Sequence, residues 1–432
     1  MAITVYPPYG SQTNPQYVTF DGTNVDAFGR LRISNPYTLF DAQSRFAADN
    51  SYSYVTATGG TTSYNTNKSS VNLNVTTSSG STAVAQTYRV FPYQPGKSLL
   101  TLQTWTMAAA QTNLRQRIGY FSAQNGLYFA QGETGTASTL SFTIRTYTSG
   151  SVDNSRTVTQ ANWNGDKLDG TGPSGVNLDV TKTQILWFDM EWLGVGNVRC
   201  GFIVNGQYIT CHTFQNSNFQ PAVYMQTAIL PLRYEIATTG TTSTTATLQM
   251  ICSTVISEGG YEQISAPYIA RPSGNGVGIA NNTGLTYTPL VSIRVNSSYY
   301  GAVVIPSLVN FAATTAGTYE VVLLKNPTLT GATWAAGAIS SGMVDTDTAA
   351  TVAVTTADNI VQTDYVVSTN QGSVPIIAPF GYNFDLQLGY TASLSGNGYG
   401  SSDVYTVAAR GLNIPSSNGA GIGSLSFYNL TV

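Results

Sequence analysis

The period of the hydrophobic pattern constrains this chain most. Short runs of β-branched and aromatic residues alternate with polar ones, between clusters of Gly, Asn and Asp. A period of two belongs to strands with one buried face, and the 3.6-residue period of an amphipathic helix is nearly absent. The chain is therefore expected to be all-β. Strands are predicted at Val71 to Thr76, Ser98 to Thr106, Gln116 to Ser122, Leu140 to Tyr147 and Ile185 to Trp192. Asn125-Gly126 and Asn205-Gly206 each stand between two such runs, the strongest short-range signal for a two-residue hairpin. Many short strands at this spacing imply sandwiches or barrels.

A chain of 432 residues exceeds what one core usually serves. Gly, Pro and Ser concentrate in SEGGYEQISAPYIARPSGNGVG from Ser257, as at a domain boundary. The predicted organisation is an N-terminal arm over 1–50, a first sandwich over 51–264 with the break near Ile264, and a second, smaller β-sandwich over 265–432. In the latter, Leu290 to Val295, Gly301 to Ile305, Tyr319 to Leu324 and Thr351 to Thr355 read as strands.

Charge is unusually scarce. Asp, Glu, Lys and Arg make up 9% of the chain, against roughly 25% in ordinary soluble proteins. Thr, Ser, Asn and Gln must keep it in solution, and such uncharged polar surface is cheaper to desolvate when subunits meet. A net charge of -3 without a basic run argues against nucleic acid. No apolar stretch approaches the roughly 20 residues of a spanning helix. Met1 to Gly10 lacks the basic and apolar regions of a signal peptide, so export by the usual route is not expected.

Three cysteines cannot staple so long a chain. A two-residue turn at Asn205-Gly206 would put Cys200 directly across from Cys211, at a separation a disulfide can span. In a reducing cytosol both are expected as free, mostly buried thiols. His212, the lone histidine, is expected on the opposite face from Cys211.

The N-terminal run DAFGRLRISNPYTLFD gathers charge, aromatics and proline. It reads either as an arm docking on a partner, with Phe28 and Phe40 as anchors and Arg30 and Arg32 as forks for carboxylates, or as a strand closing its own sandwich. It also resembles a motif that opens many structural proteins of tailed phages, notably marine ones. Further segments carry the resemblance: Trp163 to Gly196, VRCGFIVNGQYITCHTF from Val198, VYMQTAILPLRYEI from Val223 and LQMICSTVISEGG from Leu248. PLVSIRVN from Pro289 and NPTLTGATW from Asn326 carry it more weakly. The resemblance implies a virion component made in the host cytoplasm, whose first domain is a concanavalin-like jelly roll. Tail fibre, baseplate and capsid decoration all stay open as its position. The expected partners are copies of itself, with a trimer as the guess, and other virion proteins.

The most tempting chemistry is WFDMEW, where alternation puts Asp189 and Glu191 on one face with Trp187. Retaining glycosidases need two carboxylates about 5 to 5.5 Å apart. Glucanases of this fold carry a Glu where Trp187 stands, so the nucleophile position is vacant and no catalytic residue is expected. Asp166, Asp169 and Asp179 read either as oxygen ligands for calcium or as turn-stabilising residues, without an EF-hand pattern. No metal or other cofactor is expected. Tyr52, Tyr54 and Tyr64 lie in polar sequence and suggest the alternative function, binding of a host glycan.

Overall fold

The computed structural model describes residues 35–262, 265–272, 274, 276–369, 372–373, 376–379, 384–415 and 418–431, together with the short paired strands Thr4–Val5 and Val18–Thr19. Among the described residues there is no α-helix, only short 3-10 turns, and the named strands all pair antiparallel. Strands from Tyr37–Gln43 to Ala246–Ser257 form one sandwich, and those from Pro267–Ala270 to Asn418–Asn429 form a second, shorter in sequence. The expected all-β chain, a jelly-roll sandwich followed by a smaller one, is what the chain adopts. Phe28, Arg30 and Arg32 lie outside the described residues, as does Ile264.

In the first sandwich, a seven-stranded sheet runs from Asp153–Thr159 through Leu114–Phe121 and Leu232–Thr238 to the edge strand Tyr52–Ala57. It faces an eight-stranded sheet ordered Gln207–Phe214, Val198–Val204, Gln184–Met190, Leu99–Thr106, Ala246–Ser257, Ser70–Val75, Thr61–Asn65, with Tyr37–Gln43 paired to Ala246–Ser257. Burial alternates at every residue of Leu99–Thr106, the signature of a sheet with one face in the core. Between the sheets Trp105 stacks on Phe129 with ring centroids 5.6 Å apart, and Phe202 meets Phe129 edge-on at 5.1 Å.

Local chemistry overrides three sequence expectations. Asn125-Gly126 is not a two-residue turn. Gly126 already pairs with Phe121, and the loop is the four residues between them, closed by Ser122 N–H donating to the Asn125 carbonyl at 2.8 Å. The strand predicted to reach Trp192 stops at Met190, because Leu193 and Gly194 take positive φ and Gly196 N–H turns back onto the Trp192 carbonyl. Finally, Phe40 is no exposed anchor. It lies on the strand Tyr37–Gln43, 3% exposed, packed against Phe91 at 5.0 Å. For this part of the predicted arm the closing strand is the correct alternative, since the apolar face of 37–43 is needed to complete the core.

The second sandwich grips the first. Its hairpin of Tyr390–Ala392 and Tyr399–Ser402 lies against the seven-stranded sheet: Tyr390 N–H donates to the Tyr88 carbonyl at 2.7 Å, and Ala392 N–H to the Ser53 hydroxyl at 2.9 Å. Gln86 donates to the Gly398 carbonyl at 3.1 Å. The backbones approach so closely that a Cβ on Gly398 would sit 2.8 Å from Ala123 N, at a φ of +90.

Candidate functional site

A groove opens on the outer face of the eight-stranded sheet. Along Gln184–Met190, Leu186, Phe188 and Met190 enter the core, so Trp187 and Asp189 point outward. Leu102, Trp187, Gly201 and Thr210 form one cross-strand row. No larger residue fits at Gly201, because a Cβ would lie 1.9 Å from the Ile209 carbonyl oxygen. A cavity of about 450 Å³ on this face is lined by Ser98, Leu100, Trp187, Asp189, Arg199, Tyr208, Thr210 and Glu258.

Its wall has an aromatic part and a charged part. Tyr208 is 55% exposed and meets the buried Trp187 ring edge-on, at a centroid distance of 5.6 Å and an interplanar angle of 66°. The Trp187 indole N–H has no acceptor among the described residues. Arg199, directly across the strand from Asp189, is salt-bridged to it, and the Ser98 hydroxyl donates to its other oxygen. Glu258 enters because its own N–H donates to the Ser98 carbonyl at 2.9 Å. Burial, reinforced by the neighbouring Asp189, raises the Glu258 carboxyl above its ordinary value.

The carboxylate pair of the groove is thus Asp189 with Glu258, not Asp189 with Glu191. Glu191 falls beyond the strand, exposed, its N–H tied to the Asn197 carbonyl at 3.2 Å. No signal in WFDMEW points to Glu258. It follows from the pairing of Ser257 with Leu99, 158 positions apart in sequence.

The remaining candidates have structural partners. Asp166 accepts from Leu168 N–H at 2.9 Å and Ser174 N–H at 2.7 Å, while Asp169 and Asp179 each cap the threonine two residues on. These are turns held by carboxylates, the second of the two sequence readings. Among the described residues no group of three or more His, Cys, Asp or Glu side chains is placed to hold a metal ion. Tyr52 is buried with its hydroxyl 2.6 Å from Ser253 Oγ, and the hydroxyls of Tyr54 and Tyr64 donate to the Asp49 and Arg45 carbonyls. They form no open stacking platform.

The Asn205-Gly206 hairpin forms as read, with φ of +52 and +76, and its register holds from Val204 opposite Gln207 to Gly201 opposite Thr210. A bulge then makes Cys211 the extra residue, so His212, not Cys211, faces Cys200. Cys200 and Cys211 are buried free thiols, and Cys200 Sγ donates to the His212 carbonyl at 3.3 Å. The imidazole packs edge-on against Phe214 at 4.4 Å and accepts Asn164 N–H at Nδ1.

No protein-family model and no curated protein matches this chain. Several solved structures resemble it in fold. A protein of unknown function from Shewanella oneidensis MR-1 is 10% identical over 60% of this chain and 100% of that one, with a TM-score of 0.33. The carbohydrate recognition domain of Emp47p is 10% identical, over 56% of this chain and all of its own, with a TM-score of 0.31. Arcelin-5, a lectin-like defense protein from Phaseolus vulgaris, is 10% identical over 52% of this chain and 99% of its own, with a TM-score of 0.29.

Proposed function

We propose that this chain is a non-enzymatic structural subunit of a tailed-phage virion, acting by assembly with copies of itself and with other virion proteins. One observation supports this beyond the sequence resemblance. Charge is scarce, 9% of the chain, and part of it is turned inward: Arg117, Arg145, Arg233, Glu235, Glu320, Asp345, Asp347 and Asp403 are buried. The outside carries few charges among many uncharged polar groups and exposed apolar side chains such as Phe46, Phe219, Tyr365 and Val367, a surface that subunit contact desolvates at modest cost. Cryo-electron microscopy of gradient-purified particles tests the reading: density for this fold on the capsid lattice or the tail supports it, and absence of the chain from particles sinks it. Changing Phe28 and Arg30 together to Ala is expected to lower incorporation while leaving the isolated fold intact.

The groove favours a second reading, in which the first sandwich touches a host glycan. Tyr208 offers an exposed ring to a sugar face, and the surrounding carboxylates, hydroxyls and indole N–H match sugar hydroxyls. A glycan array on the full chain should give reproducible signals that Tyr208→Ala removes; a blank array argues against it.

A further inference from the structure

We propose that a cavity between the two sandwiches, separate from the groove on the eight-stranded sheet, binds an uncharged sugar of a single ring. The cavity has a volume of about 200 Å³, below the roughly 300 to 1,000 Å³ of ordinary small-molecule sites, which limits its ligand to something small. The loop 122–125 and residues between 226 and 230 of the first sandwich line one side, and residues 299–302, Met343 and the clasping hairpin of the second line the other. Among the described residues that line it, none is Asp, Glu, Lys, Arg or His. A charged ligand would give up its hydration there without meeting a counter-charge.

The lining offers what a neutral sugar needs. Asn125, 3% exposed, accepts the N–H groups of Tyr147 at 3.2 Å and Gln226 at 3.1 Å on its Oδ1. These two bonds fix the amide and leave its NH2 group, which has no acceptor among the described residues, as a donor for a sugar hydroxyl. Tyr299, 42% exposed, and the half-buried Tyr300 and Tyr399 bring three phenol rings to the opposite side. Phenol rings cover the carbon face of a pyranose, and their hydroxyls, bonded to none of the described residues, reach its edge. The rings are also held in place before any ligand arrives. Tyr390 packs against Tyr300 at 5.4 Å and Tyr399 at 5.2 Å, and its hydroxyl donates to the Ala302 carbonyl. Such preorganisation lowers the entropy lost on binding.

Isothermal titration of the full chain with the methyl glycosides of glucose, galactose and mannose tests this, with glucosamine and glucuronic acid as charged rings of the same size. At least one neutral glycoside is expected to bind with a Kd of about 1 mM, and both charged sugars about tenfold more weakly. Tyr299→Ala, a change at an exposed ring, should weaken the neutral sugar about tenfold, and Tyr399→Phe, which keeps the ring and loses one hydrogen bond, about threefold to tenfold. Tyr208→Ala, in the groove, should leave this binding unchanged. Loss of binding in Tyr208→Ala with none in Tyr299→Ala places the sugar in the groove and overturns the site between the sandwiches. Equal affinity for the charged sugars overturns the selectivity. If none of the neutral glycosides binds, or if Tyr299→Ala and Tyr399→Phe both bind as the parent does, the site falls, while the groove is still judged by its own glycan array.

Discussion

Arg117 and Glu235 stand directly opposite one another on adjacent strands, their side chains 7% and 9% exposed and joined at 3.1 Å. Arg117 also grips Glu133 at 2.6 Å, Glu235 holds Arg233 at 2.9 Å, and Arg233 donates to Gln86, which in turn reaches Gly398 of the second sandwich. Burial alone would raise the Glu235 carboxyl, but the guanidinium groups of Arg233 and Arg117 outweigh it and hold this acid far below the usual carboxylate range.

Removing that charge strands the buried cations. Glu235→Gln is expected to destabilise the chain by roughly 3 to 5 kcal/mol, the usual penalty for breaking a buried pair on one side. A depressed carboxyl contributes stability that is complete above the unfolded glutamate value of 4.5 and lost as pH falls below it. Denaturant titrations should therefore show acid destabilisation in the parent chain and a flatter acid limb in the variant.

His212 should titrate far from its ordinary position. Burial, helped by Arg156, pushes it down to about 4 from 6.5. Because the fold favours the neutral ring, its contribution to stability is complete above pH 6.5 and lost as pH falls toward 4. As the lone histidine, it gives one resonance set by NMR, and a midpoint near 6.5 would contradict the packing against Phe214.

Thiol reactivity should divide one against two. Cys252 is exposed, whereas Cys200 and Cys211 are buried, and burial pushes Cys211 up to about 12 and Cys200 higher still. A thiol reagent should label one cysteine in the native chain and all three after unfolding. Rapid labelling of three in the native chain would show that the hairpin is open.

Two glycines in hairpins should respond unequally to alanine. Gly206 has a φ of +76 with open space around it, so Gly206→Ala is expected to cost about 1 kcal/mol. Gly126 has a φ of +140 and a Cβ there would lie 2.3 Å from Phe121, so strain and overpacking together should cost about 2 to 4 kcal/mol. Equal midpoints in thermal unfolding would refute this ranking.

Strand identity was legible because the period of two survives in each segment: Leu99–Thr106 and Leu140–Thr146 fall within a residue or two of where alternation puts them. Register was less legible. One extra residue at Cys211 shifted the partner of Cys200, and nothing in the letters VRCGFIVNGQYITCHTF announces a bulge. The site was half visible. Trp187 and Asp189 share a face by alternation, but Glu258 joins them only through pairing between distant strands, as Glu235 joins Arg117 from 118 positions away.

The hairpin that clasps the first sandwich changes how the chain would carry load. The two halves follow one another in sequence, joined by one covalent tether after Ala246–Ser257, and a tether on its own would act as a swivel. With Tyr390, Ala392 and Gly398 hydrogen-bonded to Tyr88, Ser53 and Gln86, and Asp385 bridged to Arg89 at 2.7 Å, tension must rupture several bonds together. Such a joint behaves as a stiff strut, resisting shear where a tethered pair of domains would bend.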